Sequence, residues 1–161
     1  MPKITPFLWF NDQAEQAAKF YVSIFNNSKI VNVLRYGDDG PKTTGQPEGS
    51  VMVVSFQLDG QEYTALNGGP HFKFTEAISL VVHCRTQAEV DKYWSKLSHG
   101  GAPGQCGWLK DKYGLSWQIV PDAAIALMMD QDPVRAKRVK NALYGMTKLD
   151  IKALKRAHAG K

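Results

Sequence analysis

Four histidines and two cysteines are the side chains of this 161-residue chain that best suit metal binding or nucleophilic chemistry. None of the histidines belongs to an H-x-x-x-H pair, and the cysteines form no C-x-x-C pair. The histidines occupy four separate settings, which are a polar connector (His71), a strand (His83), a helix end (His99) and a basic C-terminal segment (His158). A structural or solvated role is favoured for each, and the sequence assigns no catalytic residue.

Cys106 lies in the segment 104–107, GQCG, where a small, open backbone would expose its thiol to a ligand. No base or cation adjacent in sequence would favour the thiolate, so we expect Cys106 to line a site or to pack passively. Cys84 ends an apolar strand and is assigned to the core. Two cysteines are too few for the disulfide framework of a small secreted protein. With no signal peptide indicated in residues 1–12, a cytoplasmic location is predicted.

The composition is 43% hydrophobic and 22% charged, which excludes a wholly disordered chain, and no apolar run is long enough to cross a membrane. Basic residues are concentrated at the C-terminal end, because residues 134–161 contain nine Lys or Arg and one acid, a net charge of +8. Such a segment could bind nucleic acid, but its apolar residues recur at helical spacing. We therefore predict two docked helices, the second opened by a capping box of Thr147 and Asp150, and no nucleic-acid partner.

Two successive segments of the chain show the same order of predicted elements. The first contains strands at 4–10, 29–36, 50–58 and 61–66, a helix at 12–25 capped by Asp12, and a polar loop at 37–49. The second contains strands at 77–84, about 105–111 and 115–120, and a helix at 86–97. A turn signal, Asp59-Gly60, joins two strands in the first segment.

Short motifs recur at equivalent places in the two segments. The helical sequence AE followed by KFY at 14–21 returns as AE followed by KYW at 88–94, one residue shorter. In each hairpin a turn glycine precedes an aromatic by three residues, as in Gly60 with Tyr63 and Gly114 with Trp117. These matches predict a duplicated β-α-β-β-β module. We expect an α+β domain with module one at 1–70, module two at 71–122 and a helical extension at 123–161. Its curved mixed sheet would enclose a central cup.

This order of elements resembles the PhnB-like branch of the vicinal oxygen chelate superfamily. The segments that carry the resemblance are ITPFLWF, ALNGGPHFKFTEAIS, CGWLKDKYGLSWQIVP and MTKLDIKAL. The branch is often called the 3-demethylubiquinone-9 3-methyltransferase domain, and the superfamily includes glyoxalase I, bleomycin-resistance proteins and extradiol dioxygenases. The resemblance implies a homodimer with two cup-shaped sites. A methyltransferase commonly holds its cofactor on a glycine-rich turn from strand to helix. No G-x-G-x-x-G precedes a helix here, so neither methyl transfer nor a cofactor is predicted.

Enzymes of the superfamily usually hold a divalent metal with His and Glu side chains from the first and last strand of each module. Counted through the repeated motifs, the resemblance places these positions at Thr5 and Thr64 in module one and at Ser79 and Gln118 in module two. Hydroxyl and amide groups do not supply the charge that zinc, nickel or iron requires. The residue types at these positions therefore predict a metal-free site that hydrogen-bonds a compact, partly apolar or aromatic ligand.

Aromatic side chains could form the apolar wall of such a site. Trp9 has the strand parity of Thr5 and should face the cup, whereas Trp117 has the opposite parity to Gln118 and should pack against a helix. The predicted ligand contacts are Thr5, Phe7, Trp9, Thr64, Ser79, Cys106, Trp108 and Gln118. The alternative is a metal-dependent lyase, isomerase or dioxygenase whose metal is held by residues such as His71, His83 and Glu76.

Overall fold

The computed structural model describes residues 2–161, and the chain divides into two compact units between residues 74 and 75. The first unit contains β1 (Phe7–Phe10), α1 (Ala14–Ile24), β2 (Lys29–Arg35), α2 (Gly40–Thr43), β3 (Val51–Leu58) and β4 (Gln61–Asn67). The second contains β5 (Leu80–Cys84), α3 (Gln87–Ser98), β6 (Ala102–Pro103), β7 (Trp108–Lys110), β8 (Ser116–Pro121), α4 (Asp122–Met128), α5 (Pro133–Tyr144) and α6 (Ile151–His158). The α+β class and the two β-α-β-β-β modules are confirmed. Hydrogen bonding divides the strands into two four-stranded sheets, one in each unit.

Both sheets have the same topology, with strand orders β1-β4-β3-β2 and β5-β8-β7-β6. The first and last strands of each unit pair in parallel, and the other neighbours pair antiparallel. Phe7 pairs with Thr64, and Val81 pairs with Gln118. The helical motifs align Thr5 with Ser79, and therefore Phe7 with Val81, whereas the hairpin motifs align Thr64 with Gln118. Because Phe7 pairs with Thr64 and Val81 pairs with Gln118, the two alignments agree, as a duplication requires.

One face of each sheet is covered by the helix of its own unit. In the first unit α1 packs on β3 and β4, and in the second unit α3 packs on β8, β7 and β5. The side chains of alternate strand residues are buried there, among them Leu8, Phe10, Val54, Phe56, Ala65, Cys84, Leu109, Trp117 and Ile119. Because successive strand residues point to opposite faces, the residues between them form a second face on each sheet.

Strands β1, β5 and β7 begin later than the sequence pattern indicates, and the short β6 was not predicted. β1 begins at Phe7 and not at Ile4, because Pro6 has no N–H to donate to a ladder. β5 begins at Leu80 and not at Ala77, whose N–H donates to the Thr75 hydroxyl at 3.3 Å. The loop predicted at 37–49 contains one helical turn, α2.

The start of α1 also differs from the prediction. Asp12 does not cap the helix, whose N-cap residue is Gln13 without a side-chain hydrogen bond. The Ala14 N–H donates instead to Oδ1 of Asn67, a buried residue of β4, at 2.8 Å. A tertiary contact thus replaces the local cap, and no local pattern could indicate it.

Three helices follow β8 in place of the predicted pair. The sequence pattern missed α4, which begins directly after Pro121. The docked arrangement is confirmed, since α4, α5 and α6 share a buried cluster of Ala124, Val139, Leu143, Leu149 and Leu154. Asp150 is the N-cap of α6, whereas Thr147 is not part of a capping box and accepts a hydrogen bond from Gly107 N–H through its carbonyl. No helix within residues 2–161 is long and apolar enough to span a bilayer.

Candidate functional site

A hydrogen bond between two neighbouring strands marks the candidate site in the second unit. Gln118 Nε2 on β8 donates to the hydroxyl oxygen of Ser79, the residue before β5, at 2.9 Å. Strand register places Val81 on one side of Gln118 and Trp108 on the other. Because paired residues project from the same face, the structure brings three predicted contacts together, namely Ser79, Trp108 and Gln118.

This face lies opposite the one that α3 covers. Val81 is 43% exposed, and Gln118 and Trp108 are half-buried. Trp117 and Ile119, which flank Gln118 in sequence, are 2% and 0% exposed. The predicted inward position of Trp117 is confirmed, and Gln118 is on the more open side of the sheet.

The pair of Ser79 and Gln118 offers both kinds of hydrogen-bonding group without a charge. The Ser79 hydroxyl accepts from Gln118 and keeps its own proton to donate. Gln118 Oε1 forms no hydrogen bond with another residue in the part of the chain that the structure describes. An uncharged donor and an uncharged acceptor therefore lie beside the Trp108 indole, which suits a neutral, partly aromatic ligand.

The first unit presents an equivalent face. Phe7, 60% exposed, lies opposite Thr64, and Trp9 follows two residues later on the same side of β1. Thr5 is half-buried and precedes Pro6, whose carbonyl accepts the Thr64 N–H at 3.1 Å. The predicted contacts Thr5, Phe7, Trp9 and Thr64 are thus grouped at β1 and β4.

Gly68 and Gly69 allow the chain after β4 to lie against Trp9. The Trp9 indole Nε1–H donates to the Gly69 carbonyl at 3.0 Å, and the ring meets Phe72 edge to face with centroids 4.9 Å apart. A Cβ at Gly68 would lie 2.3 Å from the indole ring of Trp9, so only glycine fits there. These glycines serve packing against an aromatic ring, and no helix follows them to form a phosphate or cofactor turn.

Cys106 lies where the C-terminal helices pack beside the sheet of the second unit. Its φ is +59°, its N–H donates to the Met146 carbonyl at 2.8 Å, and its Sγ lies 3.8 Å from the Tyr144 carbonyl oxygen. The half-buried side chain packs against the C-terminal apolar cluster. The structure therefore places Cys106 at this helical junction, two residues before Trp108 in the chain.

Cys84 is fully buried, and burial raises the pKa of its thiol to about 12, with Glu89 and Asp122 adding to the shift. We expect iodoacetamide at pH 8 to alkylate Cys106 in the folded protein and to leave Cys84 unmodified, since the thiolate is the reactive form. Peptide mass spectrometry measures both sites, and unfolding in urea before labelling is the control that should expose both. Equal labelling of the two cysteines in the folded protein would contradict this assignment.

Of the residues named for the alternative metal site, Glu76 and His83 contact other charged side chains, and His71 is exposed after β4. Glu76 forms an ion pair with Lys110, which lowers the pKa of the carboxyl through a direct hydrogen bond, and the Glu76 backbone N–H lowers it further. His83 Nδ1 lies 3.8 Å from an Asp122 oxygen, and both side chains are exposed. Within residues 2–161 no group of three His, Cys, Asp or Glu could hold a metal ion. Thr5, Thr64, Ser79 and Gln118 do not fit a metal either, because their donors are uncharged and two of them bond to each other.

The other two histidines belong to helix ends. His99 is the C-cap residue of α3. His158, on α6, lies 2.6 Å from Oδ2 of Asp130. The Asp132 N–H and then His158 lower the pKa of the Asp130 carboxyl. This pair ties α6 to the turn before α5 and is structural.

The chain is similar in sequence to one described protein family. Residues 2–120 match the family described as 3-demethylubiquinone-9 3-methyltransferase. The match ends before α4, so the C-terminal helices lie outside it, although the sequence resemblance was expected to continue through MTKLDIKAL. No curated protein matches the chain.

The chain is also similar to several solved structures, one of which carries the same family description. A PhnB protein from Bacillus cereus, described as a 3-demethylubiquinone-9 3-methyltransferase, is 40% identical over 74% of this chain and 99% of its own, with a TM-score of 0.67. Protein PA1353 from Pseudomonas aeruginosa is 18% identical over 75% of this chain and 98% of its own, with a TM-score of 0.61. The fosfomycin resistance protein FosX from Listeria monocytogenes is 15% identical over 74% and 90% of the two chains, with a TM-score of 0.52. The last two similarities concern the fold alone.

Proposed function

Because the chain belongs to the 3-demethylubiquinone-9 3-methyltransferase family, a PhnB-like branch of the vicinal oxygen chelate superfamily, we propose that it binds a small, partly apolar or aromatic molecule without a metal ion. The observation that carries this proposal is the hydrogen bond of Gln118 to Ser79. It occupies two of the positions where the family resemblance implies metal ligands, and it leaves an uncharged donor and acceptor for a ligand.

The proposed ligand lies in a cup built from paired modules. Thr5, Thr64, Ser79 and Gln118 would supply its hydrogen bonds. Phe7, Trp9 and Trp108 would supply apolar contact area, and Cys106 would line the site passively. Homodimerisation and a cytoplasmic location complete the proposal, and sedimentation of the purified protein at micromolar concentration tests the dimer.

Methyl transfer is not part of this proposal. The family description names it, but the glycine pair of this chain packs on Trp9 and does not open a helix. The proposed function is therefore binding, and a ligand that is recovered chemically unchanged would support it.

Replacing Gln118 with leucine is expected to weaken binding of a neutral ligand about tenfold, because one side chain loses both a donor and an acceptor. A fragment screen by thermal shift against the wild-type protein supplies the test compounds, and isothermal titration measures each affinity. Gln16→Leu, which changes an exposed glutamine on α1, is the matched control and should bind as the wild type does. Equal affinities of the two variants would argue against the Gln118 site.

Elemental analysis of the purified protein tests the metal-free part of the proposal. We expect less than stoichiometric zinc, nickel, iron and manganese, with no change on His83→Ala. A stoichiometric transition metal that is lost in His83→Ala would replace this proposal with the metal-dependent alternative.

A further inference from the structure

The open face of the first sheet carries side chains in three rows that cross the strands. Strand register pairs Glu62 with Gln57 and Gln57 with Lys29, and these three residues form the charged row. The middle row consists of Phe7, Thr64, Ser55 and Asn32. The apolar row consists of Trp9, Leu66, Val53 and Leu34. On β2, β3 and β4 polarity therefore falls in one direction along the strands, whereas β1 contributes the aromatic Phe7 and Trp9 to two of the rows.

The two hydroxyls of the middle row are available for a ligand. Thr64 and Ser55 are half-buried register partners, and neither side chain bonds to another residue within the described chain. In the neighbouring row, Leu66 and Val53 are half-buried and Leu34 is 55% exposed. An apolar strip thus runs beside a pair of free hydroxyls, on the face that α1 does not cover.

The geometry of a sheet gives the scale of this surface. Residues two apart on a strand are separated by about 7 Å, so the hydroxyls and the apolar row are one such step apart. A molecule about 10 Å long could therefore reach both rows. In the charged row, Glu62 and Lys29 have opposite charges and lie on either side of Gln57. This row therefore favours neither an anionic nor a cationic group on a ligand.

We propose that this face of the first unit binds an uncharged amphipathic molecule, with its apolar end on Trp9, Leu66 and Val53 and its hydroxyl or carbonyl group on Thr64 and Ser55. This inference rests on the proposed function, since it names the ligand class of the same site. It adds Ser55, Val53 and Leu66 as residues that determine specificity. The assignment comes from the strand register.

Two probes separate the apolar and hydroxyl contributions. 3-Phenyl-1-propanol and propylbenzene differ by one hydroxyl, and methyl NMR of the full chain reports both affinity and location. We expect the alcohol to bind about fivefold more tightly than the hydrocarbon, the effect of roughly one neutral hydrogen bond. The methyl signals of Leu66, Val53 and Thr64 should shift with either probe.

Isosteric variants identify the row responsible for each effect. Thr64→Val combined with Ser55→Ala should abolish the fivefold preference and leave the affinity for propylbenzene unchanged. Val53→Thr should lower the affinity for both probes about threefold, because it adds a hydroxyl to the apolar row without a change of side-chain shape. Val31→Thr, at an exposed valine in the β2 bulge outside the three rows, is the matched control and should have no effect.

The outcomes distinguish this inference from the function it rests on. The fragments of the earlier screen could bind in a way that depends on Gln118, while substitutions at Thr64, Ser55 and Val53 leave the affinities of both probes unchanged. In that case the amphipathic assignment is wrong and the proposed function stands. An unchanged preference for the alcohol in the double variant would also overturn it. If no small molecule binds the wild-type protein at all, both proposals fail together.

Discussion

Replacing Asp111 with alanine is expected to lower the free energy of unfolding by about 4 kcal/mol, because it removes the acceptor of three hydrogen bonds, two of which are fully buried. Asp111 is 2% exposed, at the turn between β7 and β8. Its Oδ1 accepts the N–H groups of Tyr113 and Leu115 at 2.8 and 3.1 Å, and its Oδ2 accepts the Trp117 indole N–H at 2.9 Å. Urea unfolding followed by tryptophan fluorescence measures the loss.

Asp111→Asn and Trp117→Phe provide the control for this prediction. Asparagine keeps one acceptor oxygen, so we expect a smaller loss than for alanine, about 2 kcal/mol. Once Asp111 is asparagine, Trp117→Phe should cost less than it does in the wild-type protein, because the indole has already lost its acceptor. Additive effects of the two substitutions would show that the carboxylate does not hold the indole.

Asn67→Ala is expected to lower the free energy of unfolding by about 3 kcal/mol. The Asn67 side chain accepts from Ala14 N–H at 2.8 Å and donates to the Val51 carbonyl at 3.0 Å. Its removal leaves the start of α1 and the start of β3 each with a buried, unpaired backbone group. The hydroxyl of Tyr36 donates to the backbone carbonyl of Asn67, and that bond remains in the variant.

Asn26→Ala, at an exposed asparagine that follows α1, is the matched control for Asn67 and should change the stability by less than about 0.5 kcal/mol. Amide hydrogen exchange adds a local measurement. The first turn of α1 should exchange faster in Asn67→Ala, and α3 in the second unit should be unaffected. Unchanged protection of Ala14 and its neighbours would contradict the role assigned to Asn67.

The sequence could predict the elements and the duplication because both follow from local patterns. Alternating burial along a strand makes Trp117 and Gln118 face opposite sides whatever the rest of the chain does. The repeated motifs around Glu15 and Glu89 similarly aligned the two modules without knowledge of their contacts. Errors occurred where a nonlocal partner competes with a local signal, as at Asp12, where Asn67 provides the helix contact that Asp12 was expected to provide.

The amino-acid sequence by itself determined the α+β class, the order of the elements and the uncharged character of the positions at Ser79 and Gln118. Only the tertiary structure decided which side chains meet: that Gln118 bonds to Ser79, that Asp111 holds Trp117, and that Ser55 lies beside Thr64 next to an apolar row. The reason is strand register. A shift of one residue between two strands would exchange the faces of every side chain on the shifted strand, and the sequence of either strand alone does not specify that register.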